Sequence, residues 1–251
     1  MTKGQQHPDP ATHHAKLGPA QWGLRLGLVA LIVGLIVLVP LISAWDLFGP
    51  AIHHELDHPS TVVRSRAEID SLPPYVDRIA APELTDDDIA YLVAKTSCSE
   101  LDLGDNTHVT DAAVKHASRM DGLTDLSLIG TAVTDEGIKH LRTTKLTYLA
   151  VWHTAVGDRG LGYISEIRTM KQLQCKDCQS ITDSGVAKLV NLPDLRVLNL
   201  GQCRRVTDKS LAVLAEMPAL QLIQVYETGV TDKGIKRYQT QRPQSEVHYW
   251  R

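Results

Sequence analysis

Phenylalanine is nearly missing from this chain: one occurs in 251 residues, and aromatic residues make up only 5%. A core of stacked rings is excluded, so leucine and valine must fill the interior, as a thin two-layer fold prefers. Cysteine is scarce too. Cys98, Cys175, Cys178 and Cys203 are too few for the disulfide-dense scaffold of a small secreted domain. Neither sign of charge dominates, with 26 basic and 29 acidic residues. Beyond residue 45 the count is 23 against 28, and this mildly acidic balance argues against a nucleic-acid partner.

Charge is absent altogether from Leu26 to Ala44, nineteen residues interrupted only by Gly27, Gly34, Pro40 and Ser43. That is close to the ~20 apolar residues that cross a bilayer. A cleaved signal peptide is the competing reading, with Ile42-Ser43-Ala44 as a passable cleavage site. The run exceeds the usual ~7–15 residues of a signal core, which favours an uncleaved anchor. Lys3, Lys16 and Arg25 precede the run, while Asp46, Glu55 and Asp57 follow it before any basic residue. Basic flanks stay in the cytoplasm, so the N-terminus is expected inside and the rest outside, in the periplasm if the cell is bacterial. The chain then divides into a disordered cytoplasmic tail (1–25), a transmembrane signal-anchor helix (26–45), a linker with Pro50 and Pro59 (46–60), an N-terminal cap region (61–83) and a repeat domain (84–251). A short helix and an irregular cap are expected over 61–83.

The repeats announce themselves by a returning phrase. It reads Leu84-Thr85-Asp86, Val109-Thr110-Asp111, Val133-Thr134-Asp135, Val156-Gly157-Asp158, Ile181-Thr182-Asp183, Val206-Thr207-Asp208 and Val230-Thr231-Asp232, in steps of 23 to 25 residues. So regular a period marks a solenoid, one supersecondary unit stacked on copies of itself. Threonine can cap a helix, and aspartate behind it complements the helix dipole. Seventeen residues after most of these starts lies the centre of an apolar triplet: Cys98/Leu101/Leu103, Leu123/Leu126/Leu128, Leu146/Leu149/Val151, Met170/Leu173/Cys175, Leu195/Leu198/Leu200 and Leu220/Ile223/Val225. Alternation over its last three positions predicts a short strand with one buried face. Asn106, Thr131, Thr154, Cys178, Cys203 and Thr228 follow three positions later, where a side chain can satisfy backbone groups of its own or a neighbouring repeat.

Strand, turn and helix in about 24 residues resemble the leucine-rich repeat family. The pattern L-x-x-L-x-L-x-x-(N/C/T), then (V/I)-T-D-x-G, is similar to its cysteine-containing subclass, which occurs in F-box proteins and bacterial repeat proteins. The resemblance covers residues 84–250. It implies an α/β solenoid with a curved parallel β-sheet on the concave side and helices on the convex side. Gly157 departs from the pattern and removes one side-chain cap. Val247 falls on the next strand centre, with Tyr249 at the second buried strand position, so Gln241–Trp250 reads as a half-repeat closing the core.

Three short motifs tempt other readings. His54-Glu55-Leu56-Asp57-His58 matches H-E-x-x-H, in which two histidines bind zinc and the glutamate polarises water. Pro59 follows at once and no apolar helix flanks it, so a solvated linker is expected, His54 and His58 being weak metal candidates. Cys175-x-x-Cys178 spans a strand and a turn, which assigns both residues to packing rather than redox chemistry. Cys178 and Cys203 hold equivalent places in adjacent repeats, yet free thiols are expected, because turn geometry would have to fit a bond. Arg204-Arg205 reads as a solvated loop at a strand exit.

The strand register also predicts the concave surface. Three columns run across it: Glu100, Asp125, Tyr148, Gln172, Val197, Leu222; then Asp102, Ser127, Ala150, Gln174, Asn199, Gln224; then Gly104, Ile129, Trp152, Lys176, Gly201, Tyr226. Trp152, Tyr148 and Tyr226 stand out, with Ile129, Lys176 and His153 beside them; such aromatics carry much of the energy at interfaces. His153 could add pH dependence. The expected function is non-catalytic binding of a protein or peptide by a membrane-anchored scaffold, with no cofactor. An F-box-like adaptor for ubiquitin ligation and a juxtamembrane zinc hydrolase using His54, Glu55 and His58 are the alternatives.

Overall fold

The computed structural model describes residues 60–250. The tail, the apolar run at 26–45, the linker up to Pro59, and with it His54, Glu55 and His58, lie outside the described residues. Among the described residues no helix is long and apolar enough to cross a membrane.

Among the described residues, nine strands form one all-parallel sheet in sequential order. They are β1 (Thr61–Val62), β2 (Arg78–Ala80), β3 (Glu100–Asp102), β4 (Asp125–Ser127), β5 (Tyr148–Ala150), β6 (Gln172–Gln174), β7 (Val197–Asn199), β8 (Leu222–Gln224) and β9 (Glu246–His248). The central apolar residues align as read from the sequence, Leu101 with Leu126, Leu149, Leu173, Leu198, Ile223 and Val247 in turn. Between the strands run α1 (Arg66–Asp70), α2 (Asp86–Lys95), α3 (Asp111–Ala117), α4 (Asp135–Ile138), α5 (Asp158–Ile164), α6 (Asp183–Val186), α7 (Asp208–Leu214) and α8 (Asp232–Gln241). After α4 and α6 the chain tightens into 3₁₀ turns at Lys139–Leu141 and Ala187–Asn191. One contiguous core joins the inward strand residues to helix residues such as Val114, Ile138, Leu161, Val186 and Leu211. The helices therefore cover one face of the sheet and leave the other open. Ala150, Val197 and Leu222 are buried but belong to that open face, outside the core cluster.

Residues 61–83 hold more than a helix and an irregular cap. Besides α1 they contribute β1 and β2, so the ladder begins two strands before Glu100. Register partners there are 18 residues apart (Thr61 with Ile79) and 22 apart (Ile79 with Leu101). These shortened units fall outside the 23–25 period and carry no leucine triplet, which hid them in the sequence.

The Thr-Asp phrase does more than start helices. Each threonine caps its own helix; Thr182, for instance, accepts from the Ser184 N–H at 3.1 Å. Each of the first six aspartates then accepts from the phrase of the next repeat. Asp86 takes the Thr110 N–H and Oγ1 at 2.9 and 2.6 Å; Asp111 takes those of Thr134 at 2.7 and 2.7 Å; Asp158 takes those of Thr182 at 2.7 and 2.6 Å. Asp183 and Asp208 do the same for Thr207 and Thr231. The result is a carboxylate ladder that satisfies the orphan amides of successive helix starts. It also explains the glycine two positions after the aspartate. A Cβ on Gly160 would lie 2.5 Å from Asp135 Oδ1, and Gly137, Gly185 and Gly234 are crowded by the preceding aspartate in the same way.

Gly157 lacks a side-chain cap, as the sequence indicates, but its N–H still donates to Asp135 at 2.7 Å. A Cβ there would meet Ser180 Cβ at 2.8 Å, so a close approach of the next repeat accounts for the glycine.

At the C-terminus β9 closes the ladder, and Tyr238 is buried with its hydroxyl 2.9 Å from Ser245 Oγ. Val247 packs partly against the core. Tyr249, expected at a buried position, is 43% exposed.

Candidate functional site

The open face carries the three predicted columns, and its two ends differ. Asp102 and Asp105 are exposed near β3, and Arg78 pairs with Glu100. From β5 onward the middle column is buried: Ala150, Gln174, Asn199 and Gln224. Two of its polar members, Asn199 and Gln224, have side-chain partners. Asn199 Oδ1 accepts from the Gly201 N–H at 2.9 Å, as Asp102 Oδ1 does from Gly104 at 2.9 Å, and Gln224 Nε2 lies 3.3 Å from His248 Nδ1.

Trp152 is half-buried. Lys176 Nζ sits 5.5 Å from its ring centroid, a cation–π contact between neighbouring repeats. The indole Nε1 is buried without a hydrogen-bond partner. Tyr148 lies on β5, in register with Asp125 and Gln172, four residues before Trp152 on the same segment. Ile129 is partly exposed beside Gly104.

Tyr226 is not a free-standing side chain. Its ring lies flat over Gly201, where any Cβ would collide with it, and stacks on Trp250 with centroids 4.3 Å apart and planes 1° from parallel. Burial pushes its hydroxyl pKa up, against a hydrogen bond with Asn199 that lowers it. Trp250 continues the Trp152 column and was missed as a surface residue in the sequence reading. Adding the repeat step of 24 to Tyr226 would have found it. Tyr226 and Trp250 form one aromatic plate at the C-terminal end, and Trp152 with Lys176 forms a second feature mid-sheet.

The residue after this third column turns each strand off the sheet in a left-handed conformation. Asp105, His153, Asp177, Gln202 and Glu227 all have φ between 53° and 63°, and Gly130 takes the same turn at 65°. Each donates its N–H to the following repeat, as Asp177 does to the Gly201 carbonyl at 2.9 Å. A left-handed residue other than glycine costs roughly 1 kcal/mol, offset here by that inter-repeat bond. The conformation lines up polar side chains along one edge. His153 Nδ1 meets Asp177 Oδ2 at 2.7 Å, and Gln202 Nε2 donates to Glu227 at 3.1 Å.

All four cysteines are free and buried. Cys178 Sγ donates to the Val151 carbonyl at 3.0 Å and Cys203 Sγ to the Cys175 carbonyl at 3.1 Å, both in the preceding repeat. Burial pushes Cys98 and Cys203 up to about 12 and Cys178 to about 11, and it raises Cys175 well above the ordinary value. Thiols so disfavoured as thiolates are packing groups. Asn106 plays the same part, donating to the Ala81 and Leu84 carbonyls at 3.0 and 2.7 Å. Among the described residues no group of three His, Cys, Asp or Glu side chains could hold a metal.

No protein-family model and no curated protein matches the chain. Solved structures do. The yeast Rad7 and Elc1 complex is similar at 13% identity with a TM-score of 0.43, over 68% of this chain and 66% of that one. An internalin (inlF) from Listeria monocytogenes is similar at 14% identity with a TM-score of 0.49, over 70% of this chain and 63% of that one. The chain thus spans less than two thirds of either neighbour. Nine parallel strands in sequential order, each followed by a helix or closing the stack, make this an α/β repeat solenoid consistent with the leucine-rich repeat fold.

Proposed function

We propose that this protein is a non-catalytic scaffold that binds a protein or peptide on the open face of its sheet. In this reading residues 26–45 anchor it in a membrane, with the N-terminus cytoplasmic and the repeats outside, and the chain is a bacterial leucine-rich repeat protein of the cysteine-containing type. One observation carries the binding reading. Both tryptophans of the described residues, Trp152 and Trp250, stand on this face with Tyr148 and Tyr226, in a chain with 5% aromatics. The two solved neighbours named above are compatible with a protein-interaction role; one of them is itself a protein complex. The uncharged run and its basic leading flank support the anchor.

Crosslinking and pull-down from native membranes recover the partner, and protease accessibility fixes the topology. Trp152→Ala with Tyr148→Ala should weaken binding of that partner about 30-fold, the ~2 kcal/mol of an interface hot spot. Full retention by a variant that unfolds normally would sink the open-face reading. Tyr226 is tested separately, because its removal also takes away the support of Trp250.

A further inference from the structure

A repeat stack has two open ends, and a soluble one covers them with polar caps. Here the ends are where apolar side chains surface. Of the five large hydrophobic residues exposed among the described residues, Val62 (41%) and Tyr75 (54%) lie in the first units and Tyr249 (43%) and Trp250 (45%) in the last. Among the described residues, the outer edges of β1 and β9 have no strand beside them in the sheet order. Both strands run parallel to all the others, so the edge β9 offers is the one β1 can pair with. The charges are complementary as well. Residues 60–107 hold four basic and ten acidic residues, net −6; residues 204–250 hold seven basic and five acidic, net +2. At the first end Arg64, Arg66 and Lys95 are taken up by Glu83 at 3.2 Å, Asp88 at 2.6 Å and Asp70 at 3.4 Å, and Glu68 on α1 accepts from the Arg64 N–H at 2.6 Å, so the acidic excess of this end is not offset by free basic groups there. The last helix, α8, carries Lys233, Lys236 and Arg237.

We propose that the C-terminal end of one chain docks on the N-terminal end of a second copy, continuing the parallel ladder from β9 to β1. Both ends of one molecule remain usable, so the contact is head-to-tail and open-ended rather than a closed two-fold dimer. Extending the observed register sets Val247 beside Thr61 of the next copy and His248 beside Val62. Trp250 then meets Arg64, a guanidinium over an aromatic ring that is still 45% exposed after stacking on Tyr226. An unpaired strand edge beside exposed apolar side chains is the kind of surface that seeks a partner strand.

The test uses two full-length chains, one carrying Val62→Cys and the other His248→Cys. Parallel neighbours lie about 4.8 Å apart, inside the range that a disulfide spans. The native thiols are buried and do not compete. Mild oxidation of the mixture should give a cross-linked pair that neither chain gives alone. Linkage of Val62→Cys to itself, or of His248→Cys to itself, in place of the mixed product overturns the proposal, and so does no linkage at all. Sedimentation of the unmodified chain guards against a variant that fails to fold. Its average mass should rise with concentration, that rise should be lost in Trp250→Glu, and a mass fixed at the monomer value overturns the proposal.

Discussion

Asp183 shows at one residue what the returning phrase is for. Its carboxylate accepts from Thr207 N at 2.8 Å, Thr207 Oγ1 at 2.7 Å and Ser210 Oγ at 2.5 Å, all in the next repeat. Burial alone would raise its pKa, but the bonds from Ser210 and Thr207 together outweigh burial and leave it lowered. A carboxylate held below its unfolded value stabilises the fold above that value, and the contribution is lost as pH falls through the folded one. Its share of stability should therefore be complete above the ordinary 3.8 and drain away at lower pH. Asp183→Asn should lower unfolding stability at pH 7 by about 1 kcal/mol, the cost of disturbing partly buried charge-assisted bonds. Urea unfolding at pH 7 and pH 3 measures it: the gap between variant and parent should shrink at pH 3, and an unchanged gap refutes the role of the charge. From the sequence, threonine and aspartate could be read as a cap and a dipole partner. Their bonds to the next repeat could not, because they depend on the spacing between stacked units.

At the scale of one element, α5 tests how far the repeat consensus can be trusted. Six of the seven phrases have threonine where Gly157 stands, and consensus reasoning would restore it. The structure argues the reverse, since Ser180 O lies 3.2 Å and Ser180 Cβ 2.8 Å from where a Cβ would be. Gly157→Thr should destabilise the protein by about 1–3 kcal/mol through overpacking, despite the regained cap. A rise in melting temperature would show that Ser180 yields easily. The strands were legible because their inward residues keep one register from Leu101 to Val247. β1 and β2 were not, because units of 18 and 22 residues drop out of the period. The left-handed turns were hidden by their composition: Asp, His, Gln and Glu occupy a conformation usually signalled by glycine.

Over the whole molecule, each unit touches its neighbours and the charge drifts from acidic to basic along the stack. That drift gives the end-to-end contact an ionic-strength dependence. Raising salt from about 0.05 M to 0.5 M shortens the screening length severalfold and should shift association to higher protein concentration. Sedimentation at the two salt levels checks this, and association that strengthens with salt would assign the contact to apolar burial alone. The aromatic part of the open face was partly legible. Trp152 and Tyr148 follow from strand register alone, whereas Tyr226 looked like an independent anchor until its ring was found between Gly201 and Trp250.

The sequence by itself determined the period, the strand register, the sheet face each side chain takes and the packing role of the cysteines. These follow from local alternation repeated in step, since a solenoid makes its contacts between adjacent copies. Tertiary structure decided the carboxylate ladder, the reason for Gly157, the aromatic plate of Tyr226 and Trp250, and the early start of the sheet. Each of these requires side chains about one repeat apart to meet at a distance that the intervening helix and turn set, and no pattern within a single unit records that distance.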